Sequence, residues 1–280
     1  MEGLGVKIAA CIVTLLVGVV LPLVIAAVFA WKRREDGIWR AWMIGAAGFL
    51  IPQLVIRPLL LMALSGTGYA AWAESNPLAY TVVTAFFVAL LELAGRCAGA
   101  GLLRKDLTFT QALAAGLGHG GIESIILIGI SYVNNLMLLV MLQNGQFDAM
   151  LAEAAANGTD TAELTAAAIA IQAPSAGLFL LAGLERVLTM ICQTCMTVMV
   201  FYGFHQRKAL PWLAGCAGTH FLIDCIALIN QVVSAEWVAY TIIYILLALT
   251  AVLCLVLLLK IRTRWSEEDT AALPREDEET

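Results

Sequence analysis

Charge is scarce in this chain of 280 residues: 13% of its side chains are Asp, Glu, Lys or Arg, against 61% that are hydrophobic. A soluble domain carries about a quarter charged residues, so the shortage excludes an ordinary soluble globular fold. The mean hydropathy of +0.88 points the same way. Lysine is missing from the middle of every apolar stretch, which excludes a retinal-type Schiff base. A second cysteine pair is missing too. The seven cysteines all lie inside apolar stretches, and Cys192-x-x-Cys195 has no companion motif. They read as small packing residues, not as a disulfide or metal framework. The net charge of −5 owes much to the last fifteen residues, Ser266 to Thr280. That acidic stretch has the composition of a disordered tail, and nothing in the chain suggests nucleic acid as a partner.

What is present is a series of apolar runs, each reaching the ~20 residues that span a bilayer. Breaks fall where charge, Pro, Gly and Asn cluster. The pattern predicts an all-α, polytopic transmembrane helical bundle with seven spans, at about 4–30, 39–64, 77–103, 110–142, 175–204, 210–232 and 237–260. Residues 1–265 form one transmembrane domain and 266–280 a disordered cytoplasmic tail. The first run is too long for a signal peptide, lacks a basic leader and ends in Lys32-Arg33-Arg34, so it reads as a retained span. Thr161 to Gln172, in the longest connection, reads as a surface helix.

The loops separate by basic charge. Lys32, Arg33, Arg34 and Arg40 follow span one, Arg104 and Lys105 span three, Arg207 and Lys208 span five, and Lys260, Arg262 and Arg264 span seven. The other three loops contain no Lys or Arg. Basic residues stay on the cytoplasmic side, which places the N-terminus outside and the C-terminus inside. The expected location is the cell membrane, in particular a bacterial cytoplasmic membrane, with the lipid bilayer as the first partner.

Ionisable residues inside spans are expensive to bury and are functional candidates by default. Glu92 in span three, His119 and Glu123 in span four, and His220 and Asp224 in span six lie at one level. At ~1.5 Å per residue they fall roughly 14–21 Å from the face carrying the basic loops. His119-x-x-x-Glu123 and His220-x-x-x-Asp224 each place an imidazole and a carboxylate on one helix face. Taken singly, either pair also suits an internal hydrogen bond that fixes helix rotation. Two histidines with carboxylates in a dry cavity suit Zn²⁺ or another divalent metal. On that reading His119, His220 and Asp224 are metal ligands, and Glu92 and Glu123 are the catalytic carboxylates. Glu92-x-x-x-Arg96 reads as an ion pair that also tunes the carboxylate. Gln193 reaches the same depth. Glu185 and Arg186 lie nearer the outer face, where Arg57 is available to pair with Glu185. Gly116, Gly118, Gly120 and Gly121 strip bulk from around His119 and permit close approach.

Glu92-x-x-x-Arg96, the run from Gly116 to Glu123 (G-x-G-H-G-G-x-E), Glu185-Arg186 and His220-x-x-x-Asp224 together resemble the YhfC-type intramembrane metallopeptidases. Those are related to the CAAX-protease and PrsW-like membrane peptidases. The resemblance covers about Trp42 to Ile261, with Gly116 to Glu123 its most specific part. It implies a helical bundle with a polar cavity in which Glu92, His119 and His220 are site residues and Glu123 and Asp224 support them. Arg96, Glu185, Arg186 and Gln193 are supporting positions. Leu91 stands where the CAAX-protease pattern has a first glutamate, and Ala115 where it has an aromatic, so a mechanism resting on that glutamate does not transfer.

The leading functional expectation is an intramembrane peptidase using a metal- or glutamate-activated water on a membrane-protein or lipidated-peptide substrate. The alternative is a proton- or cation-coupled transporter using the same buried groups, although seven spans do not divide into equal repeats and no duplication is apparent. A third reading makes the polar groups mere locks on helix packing. The sequence does not fix the oligomeric state.

Overall fold

A computed structural model describes residues 3–34, 37–105 and 107–271. Helix dominates, and no strand occurs among the described residues. Among the described residues, seven helices are long and apolar enough to cross a membrane: Leu4–Lys32, Ile38–Leu64, Pro77–Leu103, Phe109–Gln143, Ala176–His205, Ala209–Val232 and Glu236–Ala271. They are spans one to seven. Short helices occupy Tyr69–Ser75, Gln146–Ala156 and Ala162–Gln172 in the connections. The chain is a multi-pass membrane protein. Leu, Val and Ile project on the outsides of the spans, as lipid in place of water allows.

Span seven differs from expectation at its end. The helix runs to Ala271, six residues into the segment read as a disordered tail, and 272–280 lie outside the described residues. The reason is Trp265, which is fully buried and packs against Tyr202, His205 and Phe109. Glu268 then accepts hydrogen bonds from Tyr202 and Gln206, both at 2.7 Å. Acidic composition describes the solvent-facing side of these last turns; the apolar anchor determines their conformation.

Two compact units arise from the contacts. One comprises Met1–Ile25 with Glu123–Val187, the other Ala26–Ile122 with Leu188–Thr280. In the first unit, Thr14 donates to the carbonyl of Phe179 at 2.6 Å and Ser124 to that of Gly18 at 2.7 Å. Lys7 donates to the carbonyl of Gln172. Apolar packing of Ala10, Cys11, Leu139, Ile171 and Phe179 completes this unit.

The second unit holds the larger core, centred on Cys192 to Tyr202 of span five with Ala112, Ala114 and Ala115 of span four. Its spans meet backbone to backbone. A methyl group at Gly45 would stand 1.8 Å from the Ala115 carbonyl oxygen, one at Gly95 2.1 Å from that of Gly48, and one at Gly118 2.0 Å from that of Trp42. These distances leave no room for any side chain larger than hydrogen. Span two widens to a π-helix over Ile51–Ile56, where Pro52 lacks the N–H an α-helix would use.

Candidate active site

The polar centre of the larger unit is built on Glu92. Span three carries Glu92 and Arg96 one turn apart, both almost fully buried at 2% and 1% exposure. One carboxylate oxygen, Oε2, lies 2.9 Å from His119 Nε2, 3.2 Å from Arg96 Nη2 and 3.6 Å from His220 Nδ1. The other, Oε1, accepts a hydrogen bond from Gln53 Nε2 at 2.8 Å. Three spans therefore converge on a single oxygen, and a fourth fixes the carboxylate from behind. The depth argument from sequence anticipates the meeting of Glu92, His119 and His220.

Arg96 reaches further. Its Nη2 lies 3.0 Å from His119 Nε2 and donates to Gln193, while Nε donates to Thr197 Oγ1 at 3.3 Å. Gln193 and Thr197 stand one turn apart on span five, and Thr197 donates back to the Gln193 carbonyl at 2.9 Å. An internal carboxylate and guanidinium tolerate burial only when paired and hydrogen-bonded; Glu92 and Arg96 are so paired, while Arg96 Nη1 has no hydrogen-bond partner among the described residues.

His119 is positioned by the glycines beside it. Gly118 admits the Trp42 backbone, and a methyl at Gly116 would meet Thr194 at 2.8 Å. Phe49 meets the imidazole edge-on, with ring centroids 5.7 Å apart. On span six, His220 presents Nδ1 toward Glu92, and its Nε2 is 3.6 Å from Asp224 Oδ2. Asp224 therefore stands across the imidazole from Glu92 and is more open, with 30% of its side chain exposed. Glu123 follows His119 by four residues in span four.

In the smaller unit, Arg186 pairs with Glu123 at 3.3 Å and with its neighbour Glu185. In the larger unit, Arg57 donates to Gln53 Oε1 at 3.3 Å. Gln53 and Thr197 are the participants that sequence reasoning missed. Both are uncharged, and the only available signal was their i,i+4 spacing to Arg57 and Gln193.

A deeply buried His/Glu centre on seven membrane helices narrows the comparison with known proteins. The family model of the YhfC intramembrane metalloproteases matches residues 17–247. The chain belongs to this family. Among curated proteins it is similar to the uncharacterized membrane protein YhfC of Bacillus subtilis (strain 168), with 25% identity over 183 residues, 64% of this chain and 69% of that protein. No solved structure matches. The YhfC match encloses Gln53, Glu92, Arg96, His119, Glu123, Gln193, His220 and Asp224.

Membership in a metalloprotease family implies a metal, and the donors suit one. Two imidazoles and a carboxylate are a common set for a borderline divalent ion. His119 Nδ1 and His220 Nδ1 are buried without a hydrogen bond among the described residues. For His220 that nitrogen is the one facing Glu92, at 3.6 Å from Oε2. Asp224 beside the opposite nitrogen matches the carboxylate that commonly orients a ligating histidine.

Proposed function

We propose that the chain is an intramembrane peptidase that hydrolyses a peptide bond within or beside the bilayer. The observation that carries this reading is the convergence of His119, His220 and Arg96 on Glu92 Oε2, buried among apolar helices in a YhfC-family chain. Glu92, His119 and His220 would hold a divalent ion, Zn²⁺ being the first candidate, with Asp224 orienting His220. When bound, such an ion supplies Lewis acidity that polarises the scissile carbonyl and eases the ionisation of water. Gln53 and Arg96 keep the Glu92 carboxylate in place. Glu123, one turn along from His119, takes the proton from the attacking water and returns it to the departing amine nitrogen. Arg186 holds Glu123, and Glu185 holds Arg186. The substrate is a membrane protein or lipidated peptide whose scissile segment can lose its helical hydrogen bonds.

One observation favours a second form of the same activity. Arg96 Nη2 draws on the same atoms of Glu92 and His119 that an ion would use. A metal-free form has Glu92 as the base and the two imidazoles as donors to the developing oxyanion.

Elemental analysis of the purified protein separates the two forms. The metal form requires stoichiometric metal in the wild type and its loss in His119→Ala/His220→Ala. Metal-free wild-type protein overturns that form. Comparing membrane proteomes of cells expressing wild type or Glu92→Gln tests both. Cleavage products must disappear in the variant, and products that persist unchanged refute peptidase action at this site.

A further inference from the structure

Four of the seven cysteines meet in the core of the larger unit. Cys192 and Cys195 come from span five, Cys216 from span six and Cys254 from span seven, and none is more than 5% exposed. Cys97 of span three packs against the same core. All are reduced.

Three of the sulfurs face one another. The thiols of Cys192 and Cys195 both donate hydrogen bonds to the sulfur of Cys254. The C-x-x-C spacing makes this possible, since residues three apart share one face of a helix. Filling space does not require it. Ala112, Ala114, Ala115 and Ala251 supply small apolar volume in this core without a thiol. Access differs among the three. Cys192 and Cys195 are fully enclosed, whereas Cys254 keeps 5% exposure and is flanked by the exposed Leu253 and Leu255. A solute dissolved in the lipid therefore meets Cys254 first.

We propose that Cys254, Cys195 and Cys192 form an oxidation site for organic hydroperoxides of the bilayer, Cys254 reacting first and the C-x-x-C pair resolving it into a disulfide. A sulfur that receives two S–H hydrogen bonds carries developing negative charge better than its donors, which gives Cys254 the first step. Its sulfur attacks the terminal oxygen of the hydroperoxide. The O–O bond breaks, the alcohol leaves with the thiol proton, and Cys254 becomes a sulfenic acid. The sulfur of Cys195 or Cys192 then attacks that of Cys254. An S–S bond forms, the S–O bond breaks, and water leaves with the second thiol proton. Two thiols have lost two electrons and two protons, and the hydroperoxide has been reduced to alcohol and water. The product ties span seven to the span that carries Gln193 and Thr197, the two residues that hold Arg96.

The test uses the full chain in lipid nanodiscs, treated with cumene hydroperoxide, then denatured, alkylated and mapped by mass spectrometry. The wild type should lose two of its seven thiols, with the disulfide at Cys254–Cys195 or Cys254–Cys192, and dithiothreitol should restore both. This mapping needs no substitution, so it holds whether or not a variant folds. Exposure alone would direct the oxidant to Cys97 and Cys225, which are less buried than Cys254. Cys192→Ala/Cys195→Ala should stop at the Cys254 sulfenic acid, captured by dimedone, and Cys254→Ala should form no disulfide. Oxidation of the same thiols that is as fast with hydrogen peroxide keeps the site and overturns the lipid as the source of its oxidant. Seven surviving thiols, oxidation falling first on Cys97 or Cys225, or a disulfide that forms in Cys254→Ala overturns the proposal.

Discussion

Replacing Arg96 by leucine removes the cation while leaving the Glu92 carboxylate at 2% exposure. Glu92 keeps its contacts to Gln53 at 2.8 Å and His119 at 2.9 Å, but its one formal counter-charge is gone. Stranding one member of a buried ion pair costs about 3–5 kcal/mol. Glu92→Gln retains an amide in the carboxylate's place and should cost about 1–3 kcal/mol. In the double variant neither a bare carboxylate nor its pairing is left to lose. Its destabilisation should therefore fall short of the sum of the single effects by about 2 kcal/mol. Reversible unfolding in mixed dodecylmaltoside and SDS micelles, followed by helical circular dichroism, measures all three variants against the wild type. Additivity within about 0.5 kcal/mol would show that the two groups are energetically independent and refute the Glu92–Arg96 pairing as the organiser of the centre. An Arg96→Leu cost no greater than that of the exposed Arg40→Leu would do the same.

Gly118→Ala places a methyl 2.0 Å from the Trp42 carbonyl oxygen, whereas Gly101→Ala meets nothing within 4 Å. The first should lower thermal stability by several °C or prevent folding, and the second should leave it unchanged or raise it. Gln53→Leu removes the bond to Glu92 Oε1; it should cost about 1–3 kcal/mol by the same unfolding assay and reduce cleavage, since the carboxylate loses its orientation. Trp265→Ala should cost about 3–5 kcal/mol despite lying beyond the seventh apolar run, and near-wild-type melting would show that the last turns are not anchored.

Where the chain crosses the membrane was legible, because apolar length alone sets a span. The expected second span, about 39–64, is found at Ile38–Leu64 and the third, about 77–103, at Pro77–Leu103. The meeting of Glu92, His119 and His220 was legible as well, since equal depth and i,i+4 spacing survive in a one-dimensional string. Rotation about each helix axis was not. Spans apolar on every face carry little information about which side turns inward, so the bond between Arg57 and Gln53 was not foreseen. Pro52 adds to this, because the π-turn it occasions shifts the direction of Gln53 relative to an ideal α-helix. In span seven the acidic composition concealed Trp265, one aromatic residue whose burial outweighs its charged neighbours.

The seam at Gly45, Gly48, Gly95 and Gly118 has a consequence for traffic. Main chains of spans two, three and four touch there without intervening side chains, and close packing of that kind has two states, joined or parted, with little compliance between them. On the proposed peptidase reading, a peptide arriving from the lipid would not slip through such a joint. The way in must skirt it. Span six offers looser material: just past His220 and Asp224 its helix tightens into a 3₁₀ turn at Ile226–Leu228, and Leu222, between those two residues, is 65% exposed. Crosslinking span two to span three across the glycine seam should therefore leave substrate access intact, and a crosslink that restrains span six should close it.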